Sequence, residues 1–334
     1  MLGPETAPAV TIIGGPSGAG KTTLRDHLLR SGHGLRVAIL DNVDGPAGEI
    51  DLVSAHGSEL GTLRGGCICC SLRGELVAAI LGLIVAQPAP EHIIVETSGA
   101  ADPGAIAEAL GVLELRGIIR HTSVLAVFDV EQFTRTAYER DHRRLLRRQL
   151  RGADLIILGK TDLVEAARLA AVEAALREQL PRARILAAQH GRVAPELVLG
   201  VGQHAPDLAH AAAGARPGFV SWRYTSDEPL ALQSLRRALD ELPPGVFRAE
   251  GVARLAEAPS HRALIHMVGL RGQIVLGAPW GDDSPSSSLV FIGQPGGLDG
   301  ESLRVVLNAC AEREGASRSA ELTTIIPPAP WLRA

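Results

Sequence analysis

Residues 15–22 read Gly-Pro-Ser-Gly-Ala-Gly-Lys-Thr, and Ala9-Val10-Thr11-Ile12-Ile13 just ahead of them form a short β-branched run. The pattern is G-x-x-x-x-G-K-T in the setting it requires, with a strand before it and a helical pattern (Leu24, His27, Leu28) after it. Glycines let the backbone wrap a phosphate chain with its N–H groups inward, and the dipole of the following helix favours the same negative charge. The stretch therefore predicts a phosphate cradle made of Gly15, Pro16, Ser17, Gly18, Ala19, Gly20, Lys21, Thr22 and Thr23. In it Lys21 reaches the β/γ-phosphates and the Thr22 hydroxyl ligates Mg2+. A strand–loop–helix unit of this kind predicts an α/β fold with a mostly parallel, doubly wound sheet.

Basic-residue usage supports the reading. The chain has 33 Lys+Arg, and its only lysines are Lys21 and Lys160. Both fall in nucleotide-binding patterns, where a compact ammonium is not interchangeable with a planar guanidinium.

At 334 residues and 46% hydrophobic content, the chain can build two domains with sizeable cores. A net charge of −4 gives no electrostatic footprint for nucleic acid or an anionic membrane. The longest apolar run, Leu76 to Ala86, is too short to span a bilayer and reads as a buried helix. The N-terminus has no basic segment followed by an apolar one, and three of the four cysteines are clustered rather than spread as a disulfide framework. The expected location is cytoplasmic.

Along the chain, Arg36 to Asp41 reads as a strand ending in a carboxylate. Asp41 stands either beside Mg2+ or in an ordinary strand-end turn. Residues 42–66 lack periodicity and are expected to form a long loop of the kind that senses nucleotide. The loop ends in Gly65-Gly66-Cys67-Ile68-Cys69-Cys70. Thiolates at Cys67, Cys69 and Cys70 suit Zn2+ or another thiophilic metal; taken alone, the motif reads equally as three small buried residues.

Glu91 to Gly99 (E-H-I-I-V-E-T-S-G) is a buried strand with an acid and then a glycine at its end. Glu96 is placed to hold a Mg2+-bound or attacking water, and the Gly99 N–H to sense the γ-phosphate. A further strand spans Ser123 to Asp129, and the arginine-rich helix Arg140 to Arg151 reads as a solvated face. Asp154 to Asp162 ends in G-K-T-D. Lys160 would lie over a purine, and Asp162 would accept from the guanine N1–H and exocyclic amine, a donor pair that adenine lacks. A strand at Arg184 to Gln189 closes the first domain, residues 1–200. Residues 201–218 read as a linker and 219–334 as a small α+β domain with one mostly antiparallel sheet. Its expected strands lie at 219–224, 246–253, 263–276 and 289–293, with helices at 230–242 and 301–313.

Taken in order, the P-loop, G-C-I-C-C-S-L-R, E-T-S-G-A-A-D-P and G-K-T-D resemble the CobW-like family of P-loop GTPases, with HypB and UreG as more distant relations. Val127-Phe128-Asp129, Phe247 to Gly251 and Leu289 to Gly293 continue the resemblance over nearly the whole chain. It implies a P-loop NTPase fold that binds GTP and Mg2+, hydrolyses slowly and delivers a divalent metal, most often zinc, to a client apoprotein. It carries Lys21, Thr22, Cys67, Cys69, Cys70, Glu96, Gly99, Lys160 and Asp162 into those roles. Three features depart from the family pattern. Gly159 stands where Asn is usual, a lost hydrogen bond worth about 1 kcal/mol. Asp41-Asn42 replaces Asn-Glu, with Asp44, Glu49 or Asp51 close by as substitutes. Only His204 and His210 remain of a His-rich linker tract. Two other readings stand beside a metal-delivering GTPase: a P-loop ATPase or kinase without metal traffic, and a non-hydrolysing nucleotide-binding scaffold. A homo-oligomer is compatible with all three.

Overall fold

A computed structural model describes residues 6–31, 33–43, 49–54, 59–64, 73–86, 88–136, 140–200 and 219–311. The chain falls into two compact units that divide after residue 202.

The first unit begins with β1 (Ala9–Gly14), α1 (Lys21–Arg30), β2 (Val37–Val43), β3 (Glu49–Ser54) and β4 (Glu59–Arg64). It continues with α2 (Arg73–Val85), β5 (His92–Glu96), α3 (Pro103–Leu115), β6 (Thr122–Asp129), α4 (Val130–Thr136) and α5 (Arg140–Arg151). It closes with β7 (Leu155–Gly159), α6 (Ala166–Gln179), β8 (Ile185–Ala187) and α7 (Pro195–Val198). The strands form one sheet in the order β4-β3-β2-β5-β1-β6-β7-β8. The six from β2 to β8 are parallel, and each of β1, β5 and β7 is buried along its length. Strands covered on both faces read as near-continuous apolar runs, which is why these were visible in the sequence.

One face packs Leu76, Ile80 and Leu83 of α2 and Ile106, Leu110 and Leu113 of α3 against the sheet. A second cluster joins Phe128, Ile156 and Leu158 to Leu146 and Leu150 of α5 and Val172 and Leu176 of α6. Arg144, Arg147 and Arg148 lie on the solvent side of α5, as expected of a solvated face. The Asp102 carboxylate caps α3 by accepting from the backbone N–H groups of Gly104 and Ala105, and Pro103 fills the first turn. Because the chain leaves β1 toward β2 on one side and reaches β6 on the other, the sheet has its switch point there. Ligand crevices of doubly wound sheets open at such points, beyond the carboxyl ends of the strands.

Residues 42–66 correct the sequence reading. In place of one long loop, β3 runs antiparallel to β2 and β4 antiparallel to β3, extending the sheet at its edge. The cysteine motif and the linker at 201–218 lie outside the described residues.

The second unit contains β9 (Val220–Ser226), α8 (Leu232–Asp240), β10 (Val246–Arg254), β11 (His261–Val268), β12 (Arg271–Pro279), β13 (Ser287–Gly293) and α9 (Gly300–Asn308). Its strands pair antiparallel in the order β12-β11-β10-β13-β9. Alternate residues Ala249, Ala253, Ala263, Ile265, Met267, Leu289 and Phe291 share one core with Leu235 and Leu239 of α8 and Leu303 and Leu307 of α9. The run expected as one strand over 263–276 is a hairpin, turned at Gly269 with φ 58°. The last helix stops at Asn308, earlier than expected, and Cys310 follows it into the core at 4% exposure.

Candidate nucleotide and metal site

The segment 15–20 joins β1 to α1 and closes against the ends of neighbouring strands. Gly15 (φ 133°) packs on the Val127 backbone of β6, so tightly that any Cβ there would strike the Val127 carbonyl. Gly18 and Gly20 also hold positive φ, at 75° and 101°, which glycine adopts without strain. Gly99, in the loop after β5, lies against Ser17 of this segment. Buried Gln149 donates its side-chain amide to the carbonyls of Gly99 and Ala101, both at 3.1 Å, and fixes that loop from below. Lys21 is 8% exposed, and its Nζ donates to the Gly15 and Pro16 carbonyls at 2.9 and 3.0 Å.

Parallel pairing sets Asp41, two residues before β2 ends and so short of the strand end expected for it, opposite Glu96 at the end of β5, and Glu96 opposite Ile13 of β1. The Thr22 hydroxyl donates to Glu96 Oε1 at 2.5 Å. Arg25, one helical turn beyond Lys21, joins the group: it bonds Asp41 at 2.6 Å and pairs with Glu96 at 2.9 Å. Its Nε also donates to Asp26 at 3.0 Å. Burial, together with the Asp41 charge, pushes the Glu96 carboxyl above its ordinary value, against the pull of Thr22, Arg25 and Lys21. Burial opposes the Arg25 charge, but Glu96, Asp26 and Asp41 outweigh it and hold the guanidinium protonated.

Across the sheet, β7 ends beside the same loop: a Cβ on Gly159 would sit 3.3 Å from the Ala19 carbonyl. Lys160 adopts a left-handed conformation (φ 59°), and its Nζ pairs with Asp129 Oδ2 at 2.9 Å. The Asp129 Oδ1 also accepts from the Glu131 and Gln132 N–H groups at the start of α4. Burial raises this carboxyl, but Lys160 and the two N–H groups outweigh it and hold the group below its ordinary value. Asp162 lies in a single 3-10 turn after Lys160, 3.7 Å from His190 Nδ1. His190 and Gly191 form the turn after β8, which packs on the α1 backbone at Thr23 and Leu24.

The family described as CobW/HypB/UreG, nucleotide-binding domain, matches residues 9–187. The cobalamin synthesis protein cobW C-terminal domain matches residues 219–311. A zinc chaperone CobW of Pseudomonas aeruginosa is 30% identical over 328 residues, covering 85% of this chain and 87% of that protein.

The chain belongs to the CobW/HypB/UreG family.

Two more relatives frame it. The zinc chaperone YjiA of Escherichia coli is 28% identical over 315 residues, covering 85% of this chain and 93% of its own. The zinc-regulated GTPase metalloprotein activator 1 of Schizosaccharomyces pombe is 29% identical over 192 residues, covering 55% of this chain and 46% of that protein.

Within this family member, Lys21, Thr22, Asp41, Glu96 and Gly99 gather around one loop, and Lys160 and Asp162 stand at the neighbouring strand ends. Cys67, Cys69 and Cys70 fall outside the described residues. Sequence reasoning gave no role to Arg25, Asp129, Gln149 or His190. Asp129 carried a usable signal, since it ends a buried strand as Glu96 does. Arg25 carried none, because a helix arginine reads as solvent-facing until its strands are placed. Among the described residues no group of three or more His, Cys, Asp or Glu side chains is arranged to hold a metal ion. No described helix is long and apolar enough to cross a membrane.

Proposed function

We propose that this chain is a GTPase whose nucleotide state governs delivery of a divalent metal, zinc first, to a client apoprotein. Family membership supports the GTPase activity, since the fission yeast relative is by name a zinc-regulated GTPase. Two relatives named as zinc chaperones support the cargo. The observation that carries the reading is the Thr22 hydroxyl on the Glu96 carboxylate at 2.5 Å, beside Lys21 and opposite Asp41.

In this reading Lys21 leaves its loop carbonyls to neutralise the β/γ-phosphates, and the Gly99 N–H meets the γ-phosphate. Gly15 to Thr23, apart from Pro16, supply backbone N–H groups to the phosphate chain. Lys160 covers the base and Asp162 accepts from guanine. One hydroxyl and one or two carboxylates fit Mg2+, which takes few protein ligands and completes its shell with phosphates and water. Thr22, Glu96 and Asp41 would hold it, and it would offset charge on the β- and γ-oxygens. Hydrolysis is slow, and Glu96 orients water. Cys67, Cys69 and Cys70 bind the zinc cargo as thiolates on the segment between Asp41 and Glu96, so an ordering of that segment by the γ-phosphate alters metal affinity. We assign residues 1–200 to the GTPase domain, 201–218 to a linker and 219–334 to the second domain.

A Zn2+ competition titration with GDP and with a non-hydrolysable GTP analogue tests the reading. Zinc affinity is expected to differ between the two states within the coupling range of roughly 1–3 kcal/mol. Serine at all three cysteines should remove zinc binding and leave nucleotide binding intact. Equal affinities in both states, or zinc binding that survives the serine substitutions, would overturn it.

A further inference from the structure

Arg25 sits where a divalent ion would need room, and the proposed function gives it no task. Its guanidinium contacts the Asp41 and Glu96 carboxylates at 2.6 and 2.9 Å from one nitrogen and bonds Asp26 through the others. The three side chains Arg25, Asp41 and Glu96 are 15, 24 and 7% exposed. Pairs this shielded interact far more strongly than pairs at a free surface. Among the described residues Lys21 is the other cation near Glu96, and together they form a cluster of Arg25 and Lys21 against Asp26, Asp41 and Glu96. Its net charge is −1, and removing Arg25 makes it −2.

We propose that Arg25 is a positioning residue that serves as a resident cation, holding Asp41 and Glu96 together and making divalent-ion binding conditional on a triphosphate. Resting on the functional reading above, the inference concerns these carboxylates alone. A divalent ion entering without phosphate must displace the guanidinium from both carboxylates. A triphosphate brings its own negative charge and oxygen ligands, so the ion binds without expelling the guanidinium from both carboxylates. The arrangement lowers the affinity of the phosphate-poor states and widens the gap between GDP and GTP. Arg25 stands one turn from Lys21 on α1, so the helix that carries the phosphate-binding lysine also carries the brake on the metal.

Mn2+ binding followed by electron paramagnetic resonance tests this, because Mn2+ prefers oxygen ligands and leaves the thiolates aside. The full chain is titrated without nucleotide, with GDP and with a non-hydrolysable GTP analogue. Arg25→Met is expected to tighten nucleotide-free Mn2+ binding about tenfold, the direction set by removing one nearby positive charge. The GTP-analogue state should change much less, and Arg25→Lys should stay near wild type. Arg25→Gln replaces the methionine variant if the latter does not fold. Measured against Asp41→Asn alone, adding either neutral variant should give a much smaller gain, which a merely structural arginine would not do. Mn2+ affinity that is unchanged or weaker in the neutral variants, or a gain undiminished when measured against Asp41→Asn alone, overturns the proposal. If wild-type Mn2+ binding ignores the GTP analogue, the functional reading fails and takes this inference with it. Wild-type coupling with unmoved Arg25 variants removes the inference alone.

Discussion

Replacing Gly99 by alanine tests the packing on which the phosphate loop depends. A Cβ at this position would meet the Ser17 hydroxyl and backbone nitrogen and lie 2.9 Å from Ser17 Cα. Two of those three atoms are backbone, so no side-chain rotation relieves the contact. Nor can the Gly99 loop retreat freely, since Gln149 grips the Gly99 and Ala101 carbonyls at 3.1 Å. The Ser17 segment must therefore shift, taking with it the N–H groups that the proposed function turns toward the phosphates. Overpacking of this kind costs typically 1–3 kcal/mol. If the triphosphate must bear that cost, its affinity falls by roughly 5- to 150-fold. Titration with a fluorescent GTP analogue reads the affinity, and thermal melting reads the fold. Gly111→Ala, on α3 with nothing within 4 Å of its new Cβ, supplies the control. It should stabilise the helix by up to about 1 kcal/mol and leave binding alone. A Gly99→Ala variant that binds GTP like wild type would refute the steric argument.

Base choice and acid stability give two further expectations. Asp162→Ala should lose GTP affinity in calorimetry and gain little for ATP. Gly159→Asn has room if the Ala19 carbonyl, 3.3 Å from the new Cβ, yields slightly, and should then tighten GTP by about 1 kcal/mol. Equal wild-type affinity for GTP and ATP would instead favour the ATPase reading. The Asp129 carboxyl is held below its ordinary 3.8, so the folded state gains stability above that pH and loses it as pH falls through the lowered value. Asp129→Asn should therefore melt below wild type at neutral pH, with the difference closing once the pH drops under 3.8. Parallel melting curves at every pH would contradict the Lys160–Asp129 assignment.

The P-loop, the six parallel strands and both lysine motifs were legible in the sequence because each is a local pattern. A buried parallel strand must be apolar throughout, and a phosphate turn must carry glycines at fixed spacing. For the same reason Glu96 could be named as a strand-end carboxylate before any fold was known, and Asp41 as one near a strand end, since β2 runs on to Val43. Strands β3 and β4 were not legible. They extend the sheet antiparallel at its edge, past the parallel strands, and residues 49–54 and 59–64 carry no continuous apolar run that marks them as sheet. Tertiary structure alone decided what meets at the site. Arg25 is one arginine among many until β2 and β5 bring Asp41 and Glu96 to it from positions 16 and 71 residues downstream. Gly99 is marked in the sequence for the γ-phosphate, but only the closure of its loop on Ser17 shows that a side chain has no room there. Spacing along the chain fixes which residues share a helix face or end a strand, whereas the approach of two distant strand ends depends on how the whole sheet is wound.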